Sequence, residues 1–186
     1  EKESKELDIQ VFDEVIVDDV INSQPASNTL PLEIGPAPID ESPKASGDHA
    51  RERAEKFKKI EELIQPFLKD KFGEQYEAHM KITNGTRSLI VDGILKRRNG
   101  KIWGVVEIRY ITARSFPNLK YLIIRFREKL IQLGLKKRIL MLIVSEEITA
   151  ENALSMFGEN KGLANLLFFK LIDDRLEQIE LPQTEK

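Results

Sequence analysis

The dipeptide Asn99-Gly100 stands between two runs of alternating residues, and this feature constrains the fold more than any other. Asn-Gly between such runs is the strongest short-range signal for a β-hairpin, because both residues of the tight turn need positive φ. The flanking runs are Arg87–Arg97 and Lys101–Thr112. A two-residue loop fixes which residues of the two strands lie opposite each other.

Under this register Asp92 on the first strand lies directly opposite Glu107 on the second, on one face of the sheet, with Cβ atoms about 5 Å apart. Arg109 follows two residues later and shares that face. Two facing carboxylates repel, so the pair needs a counter-charge, a shared proton or a bound cation. Mg²⁺ or Mn²⁺ takes carboxylate oxygens, keeps water ligands and can assist attack on a phosphodiester. The sequence therefore predicts a metal site here, while a surface ion cluster neutralised by Arg109 and nearby Lys side chains is the alternative.

The elements around the hairpin predict an α/β domain, with a central mixed β-sheet flanked by helices. Asp48 is expected to cap the first helix, and Pro66 is expected to kink or divide it. The apolar run Ile139–Val144 predicts a buried strand that is parallel to a neighbour. The predicted elements are helix Asp48–Phe72, strands Tyr76–Thr83, Arg87–Arg97 and Lys101–Thr112, helix Pro117–Leu133, strand Ile139–Val144, a helix near Ala150–Phe157 and a strand near Leu166–Ile172.

The chain divides by charge into an acidic tail and a basic domain. Residues 1–47 carry a net charge of −8 and residues 48–186 a net charge of +6. Residues 22–47 are rich in Pro, Ser and Ala, which is typical of a linker. Before them, Leu7, Ile9 and Val11 alternate with polar residues and allow a short strand, although the density of acids favours weak order. We therefore expect a largely disordered tail, 1–47, and one domain, 48–186.

Two motifs, IVDGIL and VVEIRYI, lie after one predicted helix and before the next. In this setting they resemble the PD-(D/E)XK nuclease superfamily, whose members share the restriction-endonuclease-like fold. The resemblance covers roughly residues 50–144 and depends on element order and on Asp92 and Glu107-Ile108-Arg109. It implies an αβββαβ core, here followed by a C-terminal αβ extension. It also implies a Mg²⁺-dependent nuclease that acts on DNA, with Asp92 and Glu107 as metal ligands.

Members of this superfamily also place a glutamate on the first helix, facing the site. Glu61 is the candidate for a third metal ligand, because it lies at the edge of the buried stripe of that helix. An exposed helix charge is the alternative for Glu61, and Glu52 and Glu62 are rivals for the role.

Arg109 stands where the superfamily has lysine, and Val91 stands where it commonly has proline. Arginine stays protonated and is a poor base, but it can hold a phosphate or a charged transition state. Lys120 on the second helix is the candidate to supply the missing lysine. Without it, the fold would be a module whose chemistry is lost and which binds nucleic acid or a protein partner within a larger protein. A protein-interaction domain with no nucleic-acid partner is a third hypothesis.

Basic residues also gather at the predicted hairpin tip: Lys96, Arg97, Arg98 and Lys101. They form either a solvated turn or a finger that contacts phosphates, and the sequence leaves both open. DNA is the expected partner, and the resemblance adds the expectation of a homodimer. Since the sequence begins with Glu, we expect an upstream domain in a longer chain. The absence of cysteine fits a cytoplasmic, reducing location. The longest apolar run has six residues, too few for a membrane span, so no membrane contact is expected.

Overall fold

The structure is a computed structural model, and it describes residues 8–11 and 45–181. The expectations for most of the acidic tail therefore lie outside the described residues. The strands are β1 (Asp8–Val11), β2 (Tyr76–Asn84), β3 (Arg87–Lys96), β4 (Ile102–Tyr110), β5 (Arg138–Ser145), β6 (Asn165–Ile172) and β7 (Arg175–Ile179). The helices are α1 (Ala45–Phe72), α2 (Leu119–Gln132) and α3 (Ala150–Glu159), with 3₁₀ turns at Gly73–Gln75 and Ala113–Asn118.

All seven of these strands form one sheet, in which each strand lies beside its neighbours in the chain. Strands β1 to β4 are antiparallel to one another in turn, β4, β5 and β6 are parallel, and β7 is again antiparallel. Parallel neighbours need a crossover, and α2 and α3 provide the two crossovers. The predicted α/β class, with a mixed sheet flanked by helices, is confirmed.

Two apolar layers hold the helices on the sheet, one on each face. On one face α1 packs through Ile60, Ile64 and Leu68 against alternate residues of β4, β5 and β6. On the other face α2 and α3 pack against the remaining alternate residues. Both faces of β5 are therefore covered, which explains why Ile139–Val144 is apolar at every position. No helix within the described ranges is long and apolar enough to cross a bilayer.

The ends of several elements differ from their predicted positions. Helix α1 begins at Ala45, so Asp48 lies inside the helix and is not its N-cap. The same helix continues through Pro66 and is not divided there. Strand β7 was not predicted, because its few residues are mostly polar and its tight turn uses Asp173 at φ 52°. Strand β1 is the short strand that the alternation near Val11 allowed.

The loop between β3 and β4 contains three residues, not the predicted two. Gly100 N–H donates to Arg97 O at 2.8 Å, and Arg97 N–H donates to Lys101 O at 2.9 Å. Gly100 has φ 75°, whereas Asn99 does not have positive φ. The pairing then shifts by one residue, because Lys96 pairs with Ile102 but Leu95 pairs with Gly104. Trp103 is the extra residue of this β-bulge, and the bulge offsets the longer loop. The strands therefore pair beyond the bulge in the predicted register.

Gly93 in β3 lies under the ring of Tyr76. A Cβ at this position would be 2.3 Å from Tyr76 Cε2 and 2.9 Å from the Glu77 carbonyl oxygen. We expect Gly93→Ala to lower the free energy of unfolding by about 3 kcal/mol, because both neighbours are fixed in the sheet. Urea unfolding followed by circular dichroism measures the change. Gly158→Ala is the control, since no atom lies within 4 Å of its added Cβ and a helix favours alanine by about 1 kcal/mol. Equal stability of the Gly93→Ala variant and the wild type would contradict this account.

Candidate active site

The candidate site lies where β3 and β4 stop pairing. Their ladder runs from Lys96 to Gly93, which pairs with Val106, and no further ladder pair follows. Asp92 is the next residue of β3, and its Oδ2 accepts a hydrogen bond from Ile108 N–H at 2.5 Å. The Asp92 side chain thus takes the place of a backbone acceptor and holds the two strands together at their point of separation.

The pairing of β2 with β3 is interrupted at the same level. Ala78 pairs with Gly93 and Met80 pairs with Val91, but His79 and Asp92 do not form a ladder pair. His79 has φ 51°, the left-handed region that non-glycine residues rarely adopt. Ala78 packs on the α1 face and Met80 on the α2 face, although they are two residues apart. The side chains of β2 therefore exchange the sheet faces toward which they point at the candidate site.

Glu61 of α1 is only 5% exposed, and its carboxyl group lies close enough to that of Asp92 for each to shift the pKa of the other. Burial, together with the neighbouring negative charge of Asp92, raises the pKa of Glu61 to about 8. Burial also raises the pKa of Asp92, although Ile108 N–H and the charge of Arg109 oppose the increase. At neutral pH the two carboxyl groups therefore hold a proton between them. The rival residues Glu52 and Glu62 are both exposed.

Glu107 is 6% exposed and forms an ion pair with Arg109 Nη2. These two residues alternate on β4 with Val106 and Ile108, which pack under α1. Because the ladder ends at Gly93, Asp92 and Glu107 are not a ladder pair as the sequence predicted. The carboxyl group that acts on Asp92 is that of Glu61, and Glu107 forms an ion pair with Arg109.

The four side chains nevertheless form one connected group, here called the acid cluster: Glu61, Asp92, Glu107 and Arg109. The charge of Arg109 acts on Asp92 and so links the two pairs. Within the described ranges, no three His, Asp or Glu side chains converge as a group that could hold a metal ion. Each acid of the cluster is instead neutralised by a shared proton or by the guanidinium.

Among the described hydrogen bonds and ion pairs, none joins the remaining predicted site residues to the acid cluster. Lys120 is exposed in the first turn of α2. Lys96 at the hairpin forms an ion pair with Glu77 Oε2 at 2.6 Å, while Arg97, Arg98 and Lys101 are exposed. Four residues of β3, about 13 Å, separate the hairpin end from Asp92. The structure therefore does not bring the basic hairpin tip together with the acids.

Three further residues surround Asp92 and were not predicted. His79 lies close enough for its charge to lower the pKa of Asp92. The Tyr76 hydroxyl donates to the Asp92 carbonyl oxygen at 3.3 Å, and burial raises the pKa of Tyr76. The buried side-chain amide of Gln65 lies beside that hydroxyl without a partner at hydrogen-bond geometry.

The Asn84-Gly85 turn contained the signal that would have located His79. Asn84 pairs with Arg87, and counting back along both strands from this pair puts His79 opposite Asp92. The sequence offers no comparable signal for Gln65, because its position depends on how α1 crosses the sheet.

Comparisons with protein-family models, with curated proteins and with solved structures give no match to this chain. The functional conclusion therefore depends on the chemistry of the acid cluster.

Proposed function

We propose that this chain is a Mg²⁺-dependent nuclease-like domain with a restriction-endonuclease-like fold, acting on DNA phosphodiesters. One observation carries the proposal: the adjacent carboxyl groups of Glu61 and Asp92 lie within reach of the charge of Arg109, which pairs with the buried Glu107, at the point where two strands separate. Ionisable groups with strongly shifted pKa values are concentrated at functional sites. Burying Glu61 and Glu107 costs stability, and a structural role would be served as well by apolar residues.

The acid cluster contains donor atoms of the type that a hard divalent cation prefers, although in the described structure its carboxyl groups do not converge as a ready-made metal site. Three carboxyl groups supply oxygen ligands of the kind that Mg²⁺ and Mn²⁺ prefer. Asp92 and Glu107 would hold the ion, with Glu61 as a third ligand once its proton is lost. The ion would supply charge neutralisation at a phosphate and an activated water.

The residues of the chain itself have separate roles in this proposal. Ile108 N–H fixes the Asp92 carboxylate, so that acid is pre-positioned. The guanidinium of Arg109 would bind the phosphate and stabilise negative charge that develops on it. Lys120 remains the proposed substitute for the family lysine. The net charge of +6 on residues 48–186 would attract the nucleic-acid backbone.

A second candidate function is a nuclease-fold module that has lost its chemistry and binds nucleic acid or a protein. The Glu107–Arg109 ion pair favours it, because the guanidinium satisfies the buried carboxylate without a metal ion. The two functions differ in one respect that can be measured. The module would bind DNA with a salt-dependent affinity and would leave the phosphodiesters intact.

Incubation of the purified chain with supercoiled plasmid and linear duplex DNA separates these functions. The nuclease proposal requires cleavage that appears with Mg²⁺ or Mn²⁺ and stops on chelation with EDTA. Salt-dependent binding without cleavage would support the module instead. Absence of both cleavage and binding at low salt would exclude both DNA roles and leave a protein-interaction domain.

A thermal melt tests metal binding independently of activity. We expect Mg²⁺ or Mn²⁺ to raise the melting temperature, because an ion that binds only the native state stabilises it by about 2.7 kcal/mol at a hundred times its Kd. Asp92→Asn should remove this increase, since the amide keeps the acceptor for Ile108 N–H but not the charge. Asp174→Asn is the control, because Asp174 is exposed and pairs with Lys59 away from the cluster. If added Mg²⁺ or Mn²⁺ left the melting temperature of the wild type and of both variants unchanged, the metal site would be ruled out.

A further inference from the structure

Helix α2 exposes an apolar face on the side opposite to its buried stripe. Tyr121, Ile124 and Ile131 are 53%, 37% and 50% exposed, and together they form what we call the α2 outer face. Their spacing of three and seven residues puts them on one side of the helix. Within the described part of the chain, Leu154 of α3 is the only other large apolar residue that is similarly exposed. The exposed apolar surface is therefore concentrated, and such concentration marks an interaction site.

The charges of α2 indicate the kind of partner that would cover this face. The helix sequence LKYLIIRFREKLIQ contains four bases and one acid, a net charge of +3. A second copy of the chain would bring an equal positive charge against it, which opposes self-association. A segment that combines Val or Ile with Asp or Glu would match both the apolar surface and the charge.

We propose that residues 12–21 of this chain, FDEVIVDDVI, bind the α2 outer face. This segment has six apolar residues, four acids and no base, so its net charge is −4. The segment therefore matches the α2 outer face in its apolar side chains and matches the positive charge of α2 with negative charge. The proposal is independent of any nuclease activity, because none of its residues belongs to the acid cluster.

The described residues put the start of this segment beside a strand that contributes to the sheet face covered by α2. Val11, the last residue of β1, pairs with Met80 of β2. Met80 is buried in the same apolar layer as Phe126 and Ile123 of α2. Ten extended residues span about 33 Å, whereas a helix with its side chains is about 10–12 Å wide. The segment is thus long enough to pass around α2 and reach its outer face.

Disulfide trapping tests the proposal in the full chain, which contains no cysteine. We expect the Val17→Cys, Ile124→Cys double variant to form an intramolecular disulfide under mild oxidation at low protein concentration. The matched control combines Val17→Cys with Lys58→Cys, at an exposed position on α1, the helix that covers the other face of the sheet. Binding raises the local concentration of the first pair, so its rate should exceed that of the control on the order of tenfold.

A charge variant and a single variant complete the test. Asp18→Lys with Asp19→Lys, added to the first pair, should lower its crosslinking rate towards that of the control. Equal rates for the two cysteine pairs would overturn the proposal. Intermolecular dimers of an Ile124→Cys single variant, without an intramolecular product in the double variant, would show that a second copy covers the face instead.

Discussion

Replacing Glu107 by glutamine is expected to lower metal-dependent cleavage of DNA by roughly a hundredfold or more, as loss of one preorganised charge-stabilising group does in other active sites. Glu107 is buried, and glutamine has nearly the same shape, so the fold should persist. The substitution removes a carboxylate that would bind the cation and that now orients Arg109. Initial rates of plasmid nicking, at saturating Mg²⁺ or Mn²⁺, measure the effect.

Glu146→Gln is the matched control for this experiment. Glu146 follows β5, is half exposed, and pairs with Lys56 at 2.6 Å outside the acid cluster. An exposed ion pair of this kind contributes little, so cleavage should change less than about twofold. If the Glu107→Gln variant cut DNA as fast as the wild type, Glu107 would have no part in the reaction.

Replacing Glu61 by glutamine is expected to change how stability depends on pH. The pKa of Glu61 is 4.5 in the unfolded reference and about 8 in the folded protein. Because the folded state binds the proton more tightly, the contribution of Glu61 is fully present below pH 4.5. It is lost as pH rises through about 8. The shift corresponds to an upper bound of about 5 kcal/mol. The raised pKa of Asp92 acts in the same direction.

Glutamine cannot titrate, yet its amide can still donate to Asp92. We therefore expect the Glu61→Gln variant and the wild type to be similar near pH 5, and the variant to be more stable above pH 8. Urea unfolding at a series of pH values measures the difference. Glu128→Gln, at an exposed position of α2, should follow the wild-type curve. Parallel curves for the Glu61→Gln variant and the wild type would show that Glu61 is ionised in the folded state.

The sequence predicted the elements of the domain well because most of them have an unambiguous period. The apolar run Ile139–Val144 predicts a strand that is buried on both faces, and the apolar stripe of α2 predicts a helix that is buried on one side. Both are buried as expected. The predicted register of the β3–β4 hairpin was also right, although the two-residue loop from which it was derived was wrong. The loop is one residue longer than predicted, and Trp103 adds one residue to β4.

The arrangement of the candidate site was predicted only in part. Glu61, Asp92, Glu107 and Arg109 were selected by residue type and position, and they do lie in one cluster. Their pairing could not be predicted, because it depends on where the ladder stops. That end point is set by the Asp92 carboxylate and by the left-handed backbone at His79, and local sequence patterns do not specify either.

The bulge at Trp103 couples the length of a surface loop to the orientation of an internal acid. If the loop still closes with three residues, deleting one residue from Arg98–Gly100 while keeping the bulge would shift β4 by one position and turn Glu107 to the opposite side of the strand. Deleting a loop residue and losing the bulge together would leave Glu107 where it is. Insertions and deletions in this hairpin should therefore be tolerated as compensating pairs, although the tip itself is exposed and polar.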